Sequence, residues 1–184
     1  KLCSIKYSFD IFGKDLNITH EELLKKNGST NKISNFDYLK YKKDNNFSKI
    51  IPFENFILVH LDEKWFSSTY IKHYREINPS FENFSNFIKS LTDKNNKIVI
   101  TTGLTSNNLI ERLMQYSIRK IGEKVHIFNI KEDIIIVNKP TFLDLESLLR
   151  KTKTLITCHG SMTHAAASFN IKIIDIVEET RKEL

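Results

Sequence analysis

The sequence predicts an α/β fold built on a doubly wound parallel sheet. Two observations carry that expectation. From residue 51 onward, short apolar runs of strand length alternate with amphipathic stretches of helix length. Alternation of this kind produces parallel β-α-β units, because parallel neighbours need a crossover between them. Finally, the stretch TLITCHGSMTHAAASFNIKIIDI, residues 154–176, reads as a strand that stops at small polar residues, turns into a short helix and feeds another apolar run.

Residues 1–50 are rich in Lys, Asn and Ser and read as an N-terminal extension or linker. Within it, Thr19 and Glu22 have capping-box spacing and Gly28 is a C-terminal stop, which predicts a short helix near 20–27. FILVHL (56–61) is the first strand of the second region, residues 51–184. FENFSNFIKSL (81–91) places Phe81, Phe84, Phe87, Ile88 and Leu91 on one helical face. KIVITT (97–102) reads as a strand, and SNNLIERLMQYSIRK (106–120) as a helix with Leu109, Ile110, Leu113, Met114 and Ser117 along one side. VHIFNI (125–130) and DIIIVN (133–138) are both strand-like, one expected to be central and the other an edge or connector. In PTFLDLESLLRKT (140–152), Thr141 is the N-cap and Leu145, Leu148 and Leu149 form the stripe. TLITC (154–158), MTHAAASF (162–169) and KIIDIV (172–177) close the pattern as strand, helix and strand. The sum is a Rossmann-like domain preceded by a partly helical extension.

Length and composition narrow the function. The chain has 184 residues, 40% of them hydrophobic, enough for a core of its own. Lys and Arg number 28 against 22 Asp and Glu, a net charge of +6 that favours anionic partners, although the excess is spread along the chain as on a solvated surface. The basic aromatic segment FDYLKYKK (36–43) accompanies no nucleic-acid recognition motif, so no nucleic acid is expected as partner. Cys3 and Cys158 form no zinc or disulfide pattern, which fits a reducing cytoplasm. No apolar run approaches the length of a membrane span, and the start at Lys1 reads as a processed chain or an excised domain.

Open α/β sheets bind ligands outside the carboxyl ends of their strands. Three strand exits are polar or small: His60-Leu61-Asp62-Glu63-Lys64, Thr101-Thr102-Gly103 and Cys158-His159-Gly160-Ser161. Gly160 and Ser161 let backbone N–H groups approach an anion, and Ala165, Ala166 and Ala167 let the following helix sit close to the sheet. Lys64 and Trp65 are further candidates beyond the first strand tip. Neither G-x-G-x-x-G nor the P-loop pattern occurs. A nucleophile elbow at Ser161 fails because His159 and Thr163 stand where small residues are needed. His159 and His164 are five apart rather than four, with no adjacent carboxylate to complete a zinc set, so no metal site is expected. Cys158 reads as a buried strand-end thiol or a nucleophile, and His60 as a core histidine or a site residue. No carboxylate is identified that would orient His159.

These residues also resemble a known family. DLESLLRKTKTLITCHGSMTHAAASFNIKIIDI is similar to the C-terminal half of GT-B glycosyltransferases, above all the heptosyltransferases of glycosyltransferase family 9, which act in lipopolysaccharide synthesis. The family has a Leu-rich helix, a strand ending in Asp-Thr-Gly or Asp-Ser-Gly, a Ser/Thr-His pair, an Ala-rich helix and a last strand. Thr163-His164 falls on the Ser/Thr-His pair, Lys64-Trp65 on a Lys-Trp pair, and KIVITTGL on a strand-and-glycine loop. In that alignment the family's Asp, Thr and Gly fall on His159, Gly160 and Ser161, so the aspartate is replaced and the glycine shifted by one. The resemblance spans residues 56–178. It implies a metal-independent site for a nucleotide-diphosphate-sugar donor. Lys64 would contact phosphate, while Thr101, Thr102 and Gly103 would border the nucleotide. His159, Gly160, Ser161, Met162 and Thr163 would cradle the diphosphate, and His164 would support it. The resemblance further implies a glycan or glycolipid acceptor and a general base from an N-terminal GT-B domain or a partner subunit. The expected place is the cytoplasm, including the inner face of the membrane. A non-catalytic Rossmann-like binding or interaction module is the alternative.

Overall fold

The computed structural model describes residues 47–66, 79–105, 108–122, 124–128, 132–169 and 171–176. The expected helix at 20–27, the segment 36–43 and Cys3 lie outside these residues. Seven strands form one sheet: β1 (Phe56–Leu61), β2 (Ile98–Thr102), β3 (Ser117–Ile121), β4 (Val125–Phe128), β5 (Ile134–Val137), β6 (Thr152–Cys158) and β7 (Lys172–Ile176). Four α-helices accompany them: α1 (Phe81–Thr92), α2 (Asn108–Gln115), α3 (Phe142–Leu149) and α4 (Ser161–Ala167). The order across the sheet is β3-β4-β5-β2-β1-β6-β7.

Five strands, β5-β2-β1-β6-β7, are mutually parallel. The chain grows outward from β1 through β2 to β5, then returns to the other side of β1 for β6 and β7. The reversal places a topological switch point between β1 and β6, the position at which sheets of this kind bind their ligands.

Alternation in the strands sorts their side chains onto two faces. Phe56, Leu58, Val99, Ile135, Val137 and Leu155 face one core with Leu148 and Leu149 of α3 and Met162, Ala165 and Ala166 of α4. Ile57, Val59, Leu61, Ile98, Ile100 and Ile136 face the other core with Phe84 and Ile88 of α1 and Leu109, Ile110 and Leu113 of α2. Both faces are therefore covered, and the inner strands read as nearly continuous buried runs rather than alternating ones. A 3₁₀ turn at Phe47–Ile50 joins the first of these cores: Phe47 is buried there, and the Ser48 N–H donates to Ser147 Oγ at 2.9 Å.

Local capping follows the sequence. Thr141 Oγ1 accepts from the Asp144 N–H at 3.3 Å, and Asp144 Oδ2 accepts from the Thr141 N–H at 2.8 Å, a reciprocal box that starts α3. Ser80 Oγ accepts from the Asn83 N–H at 3.1 Å and starts α1.

Two expectations change. The helix expected over 106–120 ends at Gln115, and Ser117–Ile121 forms β3, with Ser117 in the strand rather than on a helical stripe. The parallel arrangement also gives way at one edge, where β4 pairs antiparallel with both β5 and β3. The cause is the short connection from β4 to β5, which permits a hairpin but no crossover helix.

Candidate functional site

The exits of β1 and β6 meet at the switch point. After β1, Asp62 Oδ1 accepts from the Lys64 N–H at 3.1 Å, which starts a 3₁₀ turn over Glu63–Trp65. The turn sends the Lys64 side chain across to the β6 exit, where its ammonium donates to the His159 carbonyl oxygen. Asp62 Oδ2 stands 3.5 Å from the same ammonium. The two loops are thus joined through Lys64, which lies over Gly160: a Cβ added at Gly160 would collide with Lys64 Nζ. Glycine is required here for the close approach, since the backbone is extended and open to any residue. Burial raises the Asp62 carboxyl above its usual range, and Lys64 works against that rise.

After β6, His159, Gly160 and Thr163 are fastened to β7. His159 Nδ1 lies 2.5 Å from Asp175 Oδ2, and Thr163 Oγ1 donates to Asp175 Oδ1 at 3.0 Å. Thr163 Oγ1 accepts from the Gly160 N–H at 3.4 Å, and the His159 N–H donates to the Ile176 carbonyl at 3.3 Å. The His159 and His164 rings meet edge to face, with centroids 5.7 Å apart. Burial lowers the His164 pKa, His159 and Lys64 lower it further, and Asp175 opposes them. Ser161 is exposed at the start of α4.

Lys64, His159, Gly160, Ser161, Thr163 and His164 are therefore brought together, while the remaining candidates are engaged elsewhere. Thr101 is fully buried, its Oγ1 2.9 Å from His60 Nδ1. Thr102 Oγ1 accepts from the Lys139 N–H at 2.6 Å and donates to Asn138 Oδ1 at 3.2 Å. Gly103 sits between the loops: a Cβ there would lie 3.1 Å from Asp62 Cα and 3.2 Å from Glu63 Oε2. Met162 directs its side chain into the core between α4 and the sheet.

Three ambiguous residues resolve as core. Trp65 is buried against Phe84, edge to face with centroids 6.5 Å apart, and presents no ring to the crevice. His60 is buried within β1, and burial with the nearby Lys64 charge lowers its pKa to about 4, so the ring stays neutral. Cys158 is buried, and burial first, then Asp62 and Asp175, push its thiol up to about 12, against the pull of Lys64. A thiol held protonated is a poor nucleophile.

Asp175 was not singled out by sequence. The expectation that His159 lacks an orienting carboxylate is corrected by β7, whose register sets Asp175 opposite Thr157, beside the loop. The signal was an Asp interrupting the apolar run KIIDIV near its carboxyl end. Among the described residues, no three His, Cys, Asp or Glu side chains gather as a metal site, and no helix is long and apolar enough to cross a membrane.

No family model and no curated protein matches the sequence. Solved structures do match. The Escherichia coli heptosyltransferase WaaC with ADP-2-deoxy-2-fluoro heptose superposes with a TM-score of 0.54 at 15% identity, covering 90% of this chain and 45% of that one. The same enzyme with ADP gives a TM-score of 0.50 at 13% identity, covering 90% and 46%. The chain thus spans less than half the length of the heptosyltransferase it resembles. The doubly wound sheet is one Rossmann-like half, and the chain has the fold of one half of a GT-B structure.

Proposed function

We propose that this chain is the donor-binding half of a GT-B glycosyltransferase and holds a nucleotide-diphosphate sugar at the tips of β1 and β6. The observation that carries the reading is Lys64: it crosses the switch point of a sheet similar to one solved with ADP and an ADP-sugar, and lies over a glycine. A diphosphate oxygen would take the place of the His159 carbonyl as acceptor for the ammonium, and Gly160 leaves the backbone open for that exchange. Lys64, with His159 and His164 beside it, would stabilise the charge that develops on the departing diphosphate, so no metal ion is required. The exposed Ser161 at the start of α4, beside the Gly160–Thr163 turn, would lie against the phosphates.

Proton removal from an acceptor calls for a base. Of the carboxylates at the strand tips, Asp62 is paired with Lys64, Asp175 with His159, and Glu63 lies against Gly103. The base and the glycan or glycolipid acceptor are assigned to a second GT-B half, an N-terminal domain or a partner subunit, with action in the cytoplasm at the inner face of the membrane. The likeness to a heptosyltransferase supports a lipopolysaccharide-type acceptor.

The test is thermal unfolding with ADP, UDP, GDP and their sugar conjugates, each with EDTA and with magnesium, and a single-stranded oligonucleotide as control. A nucleotide at 100 times its Kd stabilises the fold by about 2.7 kcal/mol. A shift that survives EDTA supports the reading, and no shift with any nucleotide overturns it. Assay of this chain beside a longer native form, with the bound donor and a membrane-extract acceptor, then separates enzyme from binding module: turnover by the longer form alone is expected.

A further inference from the structure

Asp175 divides its two oxygens between two partners. Oδ1 accepts from Thr163 Oγ1 at 3.0 Å, and Oδ2 faces His159 Nδ1 at 2.5 Å. The loop does not depend on this side chain alone for its place. Backbone pairing carries β6 and β7 through Thr157 opposite Asp175 and Cys158 opposite Ile176, and the His159 N–H adds a bond to the Ile176 carbonyl. What the carboxylate fixes in addition is the ring. The His159 side chain keeps 46% of its surface exposed, so without Asp175 its orientation would be open. Which ring nitrogen of a histidine carries the proton is set by the bond the other one makes. A carboxylate can only accept, so Nδ1 carries a proton, and the geometry of imidazole turns Nε2 away from Asp175.

We propose that Asp175 is a positioning residue that holds Nδ1–H and sets the aim of the His159 ring, so that the protonated ring presents Nε2–H to the diphosphate of the donor. The inference rests on the donor-site reading and names the residue that completes the anion contacts beside Lys64. On the doubly protonated ring, Nδ1–H is held by Asp175 and Nε2–H donates to a phosphate oxygen. The charged and titratable groups around the ring are Asp175 on β7, Lys64 and Asp62 after β1, and His164 on α4. Sequence position 159 is the place where the resembling family has an aspartate, so here an imidazole backed by a carboxylate occupies it.

Two measurements test this on the whole chain. The first needs no ligand: long-range proton–nitrogen NMR of the neutral histidines should show His159 as the Nδ1–H tautomer in the native protein, and this should be lost in Asp175→Ala. The second is a double-mutant cycle read by calorimetric titration with ADP. Asp175→Ala should weaken ADP by about tenfold, the size expected for losing a bond that organises a charged contact. The same change made on His159→Ala should have less than about a twofold further effect, because the two residues act as one unit. Should Asp175→Ala fail to fold, Asp175→Asn keeps the shape and carries the same comparison, since its amide disturbs the tautomer. An Nε2–H tautomer in the native protein, or equal losses from Asp175→Ala with and without His159, makes Asp175 a loop staple and overturns the proposal. If ADP fails to bind the native chain, the donor site falls, while the tautomer still decides whether Asp175 sets the ring.

Discussion

The exits of β2 and β6 look alike in sequence, each a threonine-containing strand end running into a glycine, yet the fold surrounds them differently. At the β2 exit both threonine hydroxyls have internal partners: Thr101 holds His60, Thr102 holds Asn138 and Lys139, and Gly103 packs between Asp62 and Glu63. At the β6 exit the glycine lies under a lysine ammonium, the neighbouring His159 ring is half open, and Ser161 and His164 are exposed. A polar strand end is thus no evidence of a binding site by itself. What separates the two is whether hydrogen-bonding capacity is consumed within the fold or held at the surface.

The sharpest consequence concerns His60, behind the β2 exit. Its native pKa is about 4 against an ordinary 6.5, so the unfolded chain takes up a proton first as pH falls. The unfolded state binds more protons between those two values, and stability therefore falls as pH is lowered from 6.5 to 4. The span corresponds to about 3 kcal/mol. Urea unfolding of the native chain and of His60→Gln at several pH values should show this loss in the former and a flatter dependence in the latter. Equal slopes would mean that the ring is not buried neutral.

The two glycines sharpen the comparison at a smaller scale. Gly103→Val pushes a branched side chain against the Asp62 backbone, 3.1 Å away, and should cost about 1–3 kcal/mol of stability. Gly160→Val meets only the end of a flexible lysine, so the fold should lose less than about 0.5 kcal/mol while ADP binding disappears. Tm and ADP titration on both variants decide it: loss of stability at Gly160 with binding intact would reverse the roles assigned to the two loops.

Much of this fold was legible because buried strands write themselves as apolar runs. FILVHL, KIVITT and TLITC each announced a strand, and β1, β2 and β6 stand on them. The edge was not legible. SIRKI of β3 is mostly exposed and has no apolar alternation, and it follows a helix whose stripe extends naturally through it, so periodicity favoured helix. The site was half legible. Lys64, Gly160 and His164 stood out by type and position, whereas Thr101 and Thr102 are of the same types and are turned inward. Availability depends on partners such as His60 and Lys139, which lie 41 and 37 residues away in the chain. Asp175 was hidden for the complementary reason: its place beside His159 follows from strand register, a long-range property that no local pattern carries.

A small effect on the fold is also expected at Lys64, and it bears most directly on the β6 exit. The ammonium bonds the His159 carbonyl and stands 3.5 Å from Asp62, with 14% of the side chain exposed. Such a partly solvated contact contributes little to stability, and Lys64→Ala should lower it by less than about 1 kcal/mol. Binding is another matter. A charged donor to a diphosphate oxygen is worth about 1.5–3 kcal/mol, so the same variant should lose at least tenfold in ADP affinity. Lys64→Arg supplies the finer discrimination. A guanidinium keeps the charge but is planar and broader, and the space above Gly160 is set by the approach of a compact ammonium. Arginine should therefore recover only part of the lost affinity. Full recovery would show that the crevice reads charge alone, and an unchanged affinity in Lys64→Ala would place the anion away from the switch point.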